Sequence, residues 1–384
     1  MAAHASARMM PLFPTAPVRI QPYYGYRNRE RLFLTARALR SDKPGFEPGG
    51  RLRAIRTMIA QFASHEVAGL PVTLEMKRAD GSTSHHTGTT DSEGFIHFDI
   101  ALSPFWETGE ESRWDVVALH WHDGDGDRTV EAHVLAPGSA TGLAVISDID
   151  DTIIETGITG GFRQILRNLR RVVAQLPDER LLVPGADLFY GALGGGAIER
   201  TGKPHTGDRL TATRHPFFYV SSSPWNLFSY LVAFQKSRNL PFGPLMLRDW
   251  GLNRATFGSS SHGAHKKDAI RAIMATYPEL RFALIGDDTQ GDLTAFGAIV
   301  AERPEQVRAV FIRRAGDPFT PEELVARSAI ETAGVPLWLG ESYDSGKEFL
   351  RSIGLGRDGE AEEIVKAVDK QARAGNTAGT KKVV

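Results

Sequence analysis

The chain has 384 residues, 41% of them apolar, a formal net charge of −1 and no cysteine. That length exceeds one ordinary domain and predicts two folded units. Without cysteine there are no disulfides, thiol nucleophiles or Cys-based zinc sites, and a near-neutral chain has no global basic field, so no nucleic-acid partner is expected.

Taken in chain order, residues 1–18 are rich in Ala, Pro and Met and read as a loose arm. This N-terminus lacks a basic region followed by an apolar stretch, so no signal peptide is expected. No apolar run approaches a membrane span. The expectation is a soluble, cytoplasmic protein whose membrane contact would be peripheral.

Residues 19–138 carry strand signals. Val72, Leu74 and Met76 alternate with polar residues, as do Ile96, Phe98 and Ile100, then Val117, Leu119 and Trp121, then Val130, Ala132 and Val134. Turn-rich segments at 80–82, 91–94 and 122–127 separate them, which predicts an antiparallel β-sandwich. Ile55, Met58, Ile59 and Phe62 share a face and predict one helix near 51–64.

A linker is read at 136–139, and the pattern then changes. Continuous apolar runs at 143–146, 217–220, 282–285 and 307–312 alternate with amphipathic segments. This is the signature of an α/β domain, here 139–355, with a parallel sheet buried on both faces. The last helical segment holds Phe349 and Leu350. Beyond it, 356–384 read as a charged, partly disordered tail.

The segment 147–153, SDIDDTI, follows the first apolar run directly. Three carboxylates at the end of a buried strand repel one another and call for a cation, although Asp151 taken alone reads equally as a loop or cap residue. In an open α/β sheet, ligands bind where these residues fall. The segment 284–292, LIGDDTQGD, repeats the arrangement with Asp287, Asp288 and Asp292, and Gly286 is expected to permit a sharp turn. If the two strands are neighbours, Asp148 and Asp287 face each other across a gap suited to Mg²⁺.

In YVSSSPW, 219–225, a strand is expected to end at Ser221 and a helix to begin near Pro224. Hydroxyls and free N–H groups there can hold phosphate, but a capping serine explains the segment equally well. In HKKD, 265–268, a lysine in a first helical turn opposes the macrodipole. Alone, it reads better as a solvated side chain.

Together the four segments resemble, in order, the four motifs of the haloacid-dehalogenase superfamily. DIDDTI, YVSSSPWNL, HKKDAI and IGDDTQGD more narrowly resemble the actin-patch phosphatidate phosphatase catalytic-domain family, related to the lipins. The resemblance covers about 140–354. It implies a haloacid-dehalogenase-like Rossmannoid sheet with a helical insert at about 155–215. It also implies Mg²⁺-dependent hydrolysis of a phosphomonoester, phosphatidate, through an aspartyl-phosphate.

Carried over by position, Asp148 is the nucleophile and Asp150 the acid that protonates the leaving alkoxide. Thr152 braces the loop, Ser221 binds a phosphoryl oxygen and Lys266 neutralises charge, with Ser222 and Lys267 as further substrate contacts. Asp148, Asp150, Asp287 and Asp292 form the metal site. Two alternatives stay open: a phosphatase of a soluble ester or phosphoprotein, and a non-catalytic phospholipid-binding module.

The Asp-rich segment 122–127 lacks the closing Glu of a calcium loop and reads as a hairpin turn. Segment 196–204 has the wrong spacing for a P-loop. His262 and His265 read as loop histidines. A helix predicted over 161–176 places Arg163, Arg167, Arg170 and Arg171 beside an apolar stripe. It is read as a cap helix, and its arginines suit an anionic membrane surface.

Overall fold

The computed structural model describes residues 17–40, 65–78, 80–149, 183, 185–195, 210–248, 262–289, 291–314 and 318–355. The helices predicted at 51–64 and 161–176, the segment 196–204, and Asp150, Asp151 and Thr152 lie outside them. By compactness the chain divides into two units. The first takes described residues from Met1–Pro22, Thr35–Phe98 and Val117–Ala132, and the second those from Tyr23–Leu34, Asp99–Val116 and His133–Val384.

The N-terminal strands are β1 (Val18–Pro22), β2 (Gly25–Arg27), β3 (Arg31–Arg40), β4 (His65–Glu66), β5 (Pro71–Lys77), β6 (Thr83–Thr89), β7 (Phe95–Ala101), β8 (Arg113–Asp123) and β9 (Gly126–Ala136). They form one sheet in the order β1-β3-β2-β9-β8-β5-β6, with β4 and β7 also paired to β3. Alternation decides which side is covered: Val72, Leu74 and Met76 are fully buried, and the residues between them are not. The pairs β1·β3, β2·β3, β3·β4, β5·β6 and β5·β8 are antiparallel, as predicted, whereas β2·β9 is parallel. The tight hairpin to β3 fixes the direction of β2, where Asn28 Oδ1 accepts the N–H groups of Glu30 and Arg31. Its other edge therefore meets β9 in parallel.

The second sheet is formed by β10 (Leu143–Ser147), β11 (Phe217–Pro224), β12 (Leu245–Arg248), β13 (Arg281–Asp287), β14 (Val307–Arg313) and β15 (Leu337–Gly340). Its order is β12-β11-β10-β13-β14-β15, and every pair is parallel. Counted within this sheet the order is 3-2-1-4-5-6, so the strand order reverses between β10 and β13. Among the described residues, the helices that accompany it are α1 (Ala186–Leu193), α2 (Phe228–Ser237), α3 (His262–Thr276), α4 (Asp292–Glu302), α5 (Pro321–Thr332) and α6 (Tyr343–Ser352). The start of α5 shows how sequence sets a boundary. Thr320 accepts the Glu323 N–H, Glu323 accepts the Thr320 N–H, and Pro321 takes the first turn.

The continuous apolar runs arise because both faces of this sheet are covered. Ala144, Ile146, Phe218, Val220, Phe282, Leu284, Val310 and Ile312 share a core with Ile270 and Ile273 of α3 and Phe296 of α4. The alternate residues meet α1 and α6: Phe311 packs edge-on to Phe189, and Phe217 stacks on Tyr190, which meets Tyr343. β12 and β15 were not predicted, since four residues at a sheet edge are too few to show a period.

Residues 23–34 and 99–116 are packed into the second unit. Tyr23 meets Trp225 with centroids 4.3 Å apart, and Phe228 at 4.9 Å. The Arg27 guanidinium is buried, donating to Asp115 Oδ2 at 2.8 Å and the Trp106 carbonyl at 2.7 Å. Tyr277 donates its hydroxyl proton to the Arg27 carbonyl, and Asn28 donates to the carbonyl of Thr276, at the end of α3. A fragment limited to 139–355 would strand these aromatic and polar partners in water. We expect it to lose its cooperative thermal transition, and a sharp transition in that fragment would show the N-terminal packing to be dispensable.

Candidate active site

β10 and β13 run in register, with Ser147 opposite Ile285. The chain leaves β10 at Asp148, whose N–H donates to the Ile285 carbonyl at 2.8 Å. Asp287 is the last residue of β13. Both carboxylates therefore stand where the strand order reverses, the place where an open α/β sheet leaves a crevice.

Asp292 is the first residue of α4 and follows Gly291, whose φ of 77° lies in the left-handed region. It folds back so that its Oδ2 accepts the Asp287 N–H at 3.1 Å. Gly286 has a role other than the expected turn. It sits within β13, and a Cβ there would come within 2.6 Å of the Asp292 Cβ. The missing side chain is what lets Asp292 approach.

Lys266 comes from α3. Its Nζ is 3.0 Å from Asp148 Oδ1 and also donates to Asp292 Oδ1. The helix opens at His262, four residues before Lys266 and earlier than predicted. His262 and His265 accordingly belong to a helix, not a loop. Lys266 lies beyond the first turn, and its placement is explained by its carboxylate partners, not by the helix terminus.

Asp148, Lys266, Asp287 and Asp292 each expose 2% or less, so their charges must be met by one another. Burial alone would push the Lys266 pKa down, but Asp148, Asp292 and Asp287 outweigh it and hold the ammonium above the ordinary lysine value. Burial, with repulsion from Asp287, raises the Asp292 pKa against the pull of Lys266. Thr289 donates both its N–H and its hydroxyl to Asp287 Oδ1, each at 2.6 Å.

Three carboxylates face one ammonium, which leaves an excess of negative charge. Carboxylate oxygens of Asp148, Asp287 and Asp292 lie within 4.8 Å of one another. An all-oxygen, anionic donor set at this spacing fits a hard divalent cation.

The strand through Ser221 continues to Pro224, a short 3₁₀ turn follows, and α2 starts only at Phe228. The helix is thus later than predicted. Ser221 is fully buried, and its Oγ accepts the Ser223 N–H at 2.9 Å. Ser222 is buried beside it. Since Ser147 pairs with Tyr219, Ser221 lies toward the same edge as Asp148. Lys267 is half-buried on α3, on the side of Glu302, whose pKa is lowered mainly by a hydrogen bond from Arg271 and also by Lys267.

Two features had no sequence signal. Asp288 accepts from Arg314 at 2.7 Å, tying the chain after β13 to the chain after β14. Ser147 and Tyr190, discussed below, are 43 positions apart.

Residues 143–314 match the family model for the catalytic domain of phosphatidate phosphatase APP1. The chain is 30% identical over 258 residues to Phosphatidate phosphatase APP1 of Saccharomyces cerevisiae, covering 66% of this chain and 40% of that protein. It is 24% identical over 228 residues to an uncharacterized protein of Schizosaccharomyces pombe, covering 58% of this chain and 34% of that one. The chain thus spans two fifths or less of the length of these relatives. A solved β-glucuronidase of Parabacteroides merdae aligns over 84% of this chain and 39% of its own, at 11% identity and a TM-score of 0.22, a likeness too slight to carry an argument. Residues 143–314 thus resemble the catalytic domain of phosphatidate phosphatase APP1, and that is the family these similarities support.

Proposed function

We propose that this protein is a Mg²⁺-dependent phosphomonoester hydrolase that works through an aspartyl-phosphate on Asp148, with phosphatidate as its substrate. The observation that carries the reading is the buried convergence of Asp148, Lys266, Asp287 and Asp292 at the strand-order reversal. The yeast relative's name supplies the substrate class. The same reading assigns the second unit, with its parallel sheet of β10 to β15, to the haloacid-dehalogenase fold.

Asp148, Asp287 and Asp292, with Asp150, would hold Mg²⁺, which when bound neutralises phosphoryl charge and polarises the phosphorus toward attack. A carboxylate oxygen of Asp148 attacks phosphorus, and the bond to the ester oxygen breaks. Asp150 gives its proton to the departing alkoxide, a poor leaving group, then takes one from the water that cleaves the aspartyl-phosphate. Inorganic phosphate leaves and Asp148 is restored. Lys266 holds Asp148 Oδ1 and is itself held by Asp292, so the nucleophile is fixed and charge on the phosphoryl group is offset. Ser221 and Ser222 take phosphoryl oxygens, and Thr152 braces the loop.

The test is a panel of phosphate esters that includes phosphatidate in detergent micelles. Turnover should fall below about 1% in EDTA and return with Mg²⁺, and Ca²⁺ should inhibit because its larger, looser shell misplaces the attack. Full activity in chelator would overturn the metal assignment. Turnover of soluble esters but not of phosphatidate would move the substrate to the soluble class, and no turnover of any ester would favour a binding module.

The role of Asp150 has its own test. Asp150→Asn should lower turnover of an alkyl phosphate about 10²- to 10³-fold, but that of an aryl phosphate only about tenfold, because an aryl oxide departs without a proton. Equal losses on both would remove Asp150 from the acid role.

Among the described residues, no helix is long and apolar enough to cross a membrane. In this reading the four arginines of 161–176 meet anionic lipid at the surface of a bilayer substrate.

A further inference from the structure

Behind Asp148, on the face covered by α1 and α6, hydroxyl groups are buried in sequence. Ser147 Oγ lies 2.6 Å from the Asp148 carbonyl oxygen and 2.6 Å from the Tyr190 hydroxyl. Ser147 and Tyr190 are both fully buried. A serine hydroxyl has one proton, and a carbonyl can only accept, so that proton goes to the Asp148 carbonyl. Tyr190 must then donate to Ser147. Tyr343 is hydrogen-bonded to Tyr190 in turn. Burial pushes the Tyr190 pKa well up, so its hydroxyl stays a donor.

We infer that Ser147 and Tyr190 are positioning residues for the nucleophile: their hydroxyls lock the carbonyl of Asp148 toward the covered face of the sheet and so hold its carboxylate toward the crevice. The peptides on both sides of the Asp148 Cα are then fixed. The N–H is held by the Ile285 carbonyl on β13, and the C=O by Ser147. With both set, the direction of the Cα–Cβ bond is set as well.

The packing of Tyr190 fits this role. Its ring stacks on Phe217 at 5.6 Å and meets Phe189 and Tyr343 edge-on, so the hydroxyl cannot swing away. α1 begins after Gly185, whose φ of 78° lies in the left-handed region and whose Cβ position would approach Asp344 of α6. The helix that delivers Tyr190 is thereby seated on the helix that delivers Tyr343. Neither tyrosine touches substrate in this scheme; they act through Ser147.

The inference rests on Asp148 being the nucleophile, and its test separates the two ideas. Tyr190→Phe keeps the ring and removes only the hydroxyl. Ser147→Ala removes the link next to the nucleophile. Both variants and the double variant are assayed with an aryl phosphate, and amide hydrogen exchange is followed across 145–149 with Mg²⁺ present. We expect kcat to fall about tenfold or more in each variant with KM unchanged, because a misplaced nucleophile affects attack and not binding. The double variant should be no worse than Ser147→Ala, since the two hydroxyls form one chain. Exchange at the Asp148 amide should quicken in all three.

Unchanged exchange and unchanged kcat would overturn the relay. Additive losses would show two independent structural contacts and overturn it equally. If wild type hydrolyses no phosphomonoester, the catalytic reading fails, yet quickened exchange in Tyr190→Phe would still establish that this hydroxyl holds the Asp148 peptide. Should Ser147→Ala fail to fold, Tyr190→Phe alone decides.

Discussion

Asp148→Asn should reduce turnover by at least about 10³-fold while leaving the fold intact, because an amide is close to isosteric with a carboxylate but is not a nucleophile. The hydrogen-bonding frame survives the change. The asparagine would still offer its backbone N–H to Ile285 and an amide oxygen to Lys266, in place of the contacts Asp148 makes. The charge balance improves in the metal-free protein, since one of three buried carboxylates that share a single ammonium is removed. The melting temperature without divalent ion should therefore hold or rise, and the stabilisation on adding Mg²⁺ should shrink. Steady-state kinetics, thermal unfolding with and without Mg²⁺, and trapping of labelled phosphate on acid quench together check this. More than trace turnover, or label retained by the variant, would show that another group attacks phosphorus.

The parts of the site that could be read in the sequence are those coded by local pattern. β10 and β13 are covered on both faces, so each appears as an unbroken apolar run, and Asp148 and Asp287 stand where those runs stop. What escaped reading is coded by contact between distant segments. Gly286 marks a close approach by Asp292, which cannot be told from a turn glycine without the fold. Lys266 suggested a charge at a helix start, whereas α3 begins earlier and the lysine is explained by its buried partners. Ser147 and Tyr190 meet across a segment with no spacing rule to reveal them. The strands β12 and β15 are too short for a period. The aromatic packing of Tyr23 on Trp225 joins segments some two hundred positions apart, and each ring alone looks like an ordinary core residue.

Lys266→Met should damage both stability and catalysis, and the pairing of these effects is informative. Methionine keeps the length and most of the volume of the lysine stem, so the site on α3 is not left as a cavity. What disappears is the positive charge that meets Asp148 and Asp292. Breaking a buried pair by deleting one partner costs about 3–5 kcal/mol, since the surviving charges remain desolvated and uncompensated. The cost here falls at the upper end, because Asp287 adds to the repulsion and all three carboxylates are buried. Turnover should fall about 10²- to 10³-fold, the loss expected when a preorganised charge is removed from a water-excluded site. Mg²⁺ should return part of the stability, because a cation held by the same carboxylates supplies the missing positive charge. It should not return the turnover, since Asp148 Oδ1 has lost the group that fixes it. Lys267→Met is the control: that residue is half-buried on the same helix, and its loss should change stability by no more than about 0.5 kcal/mol. Denaturant unfolding with and without Mg²⁺, run beside kinetics on both variants, separates these outcomes. A Lys266→Met protein as stable as wild type would mean that the buried ammonium is not what holds these carboxylates together, and the charge assignments at the site would have to be redrawn.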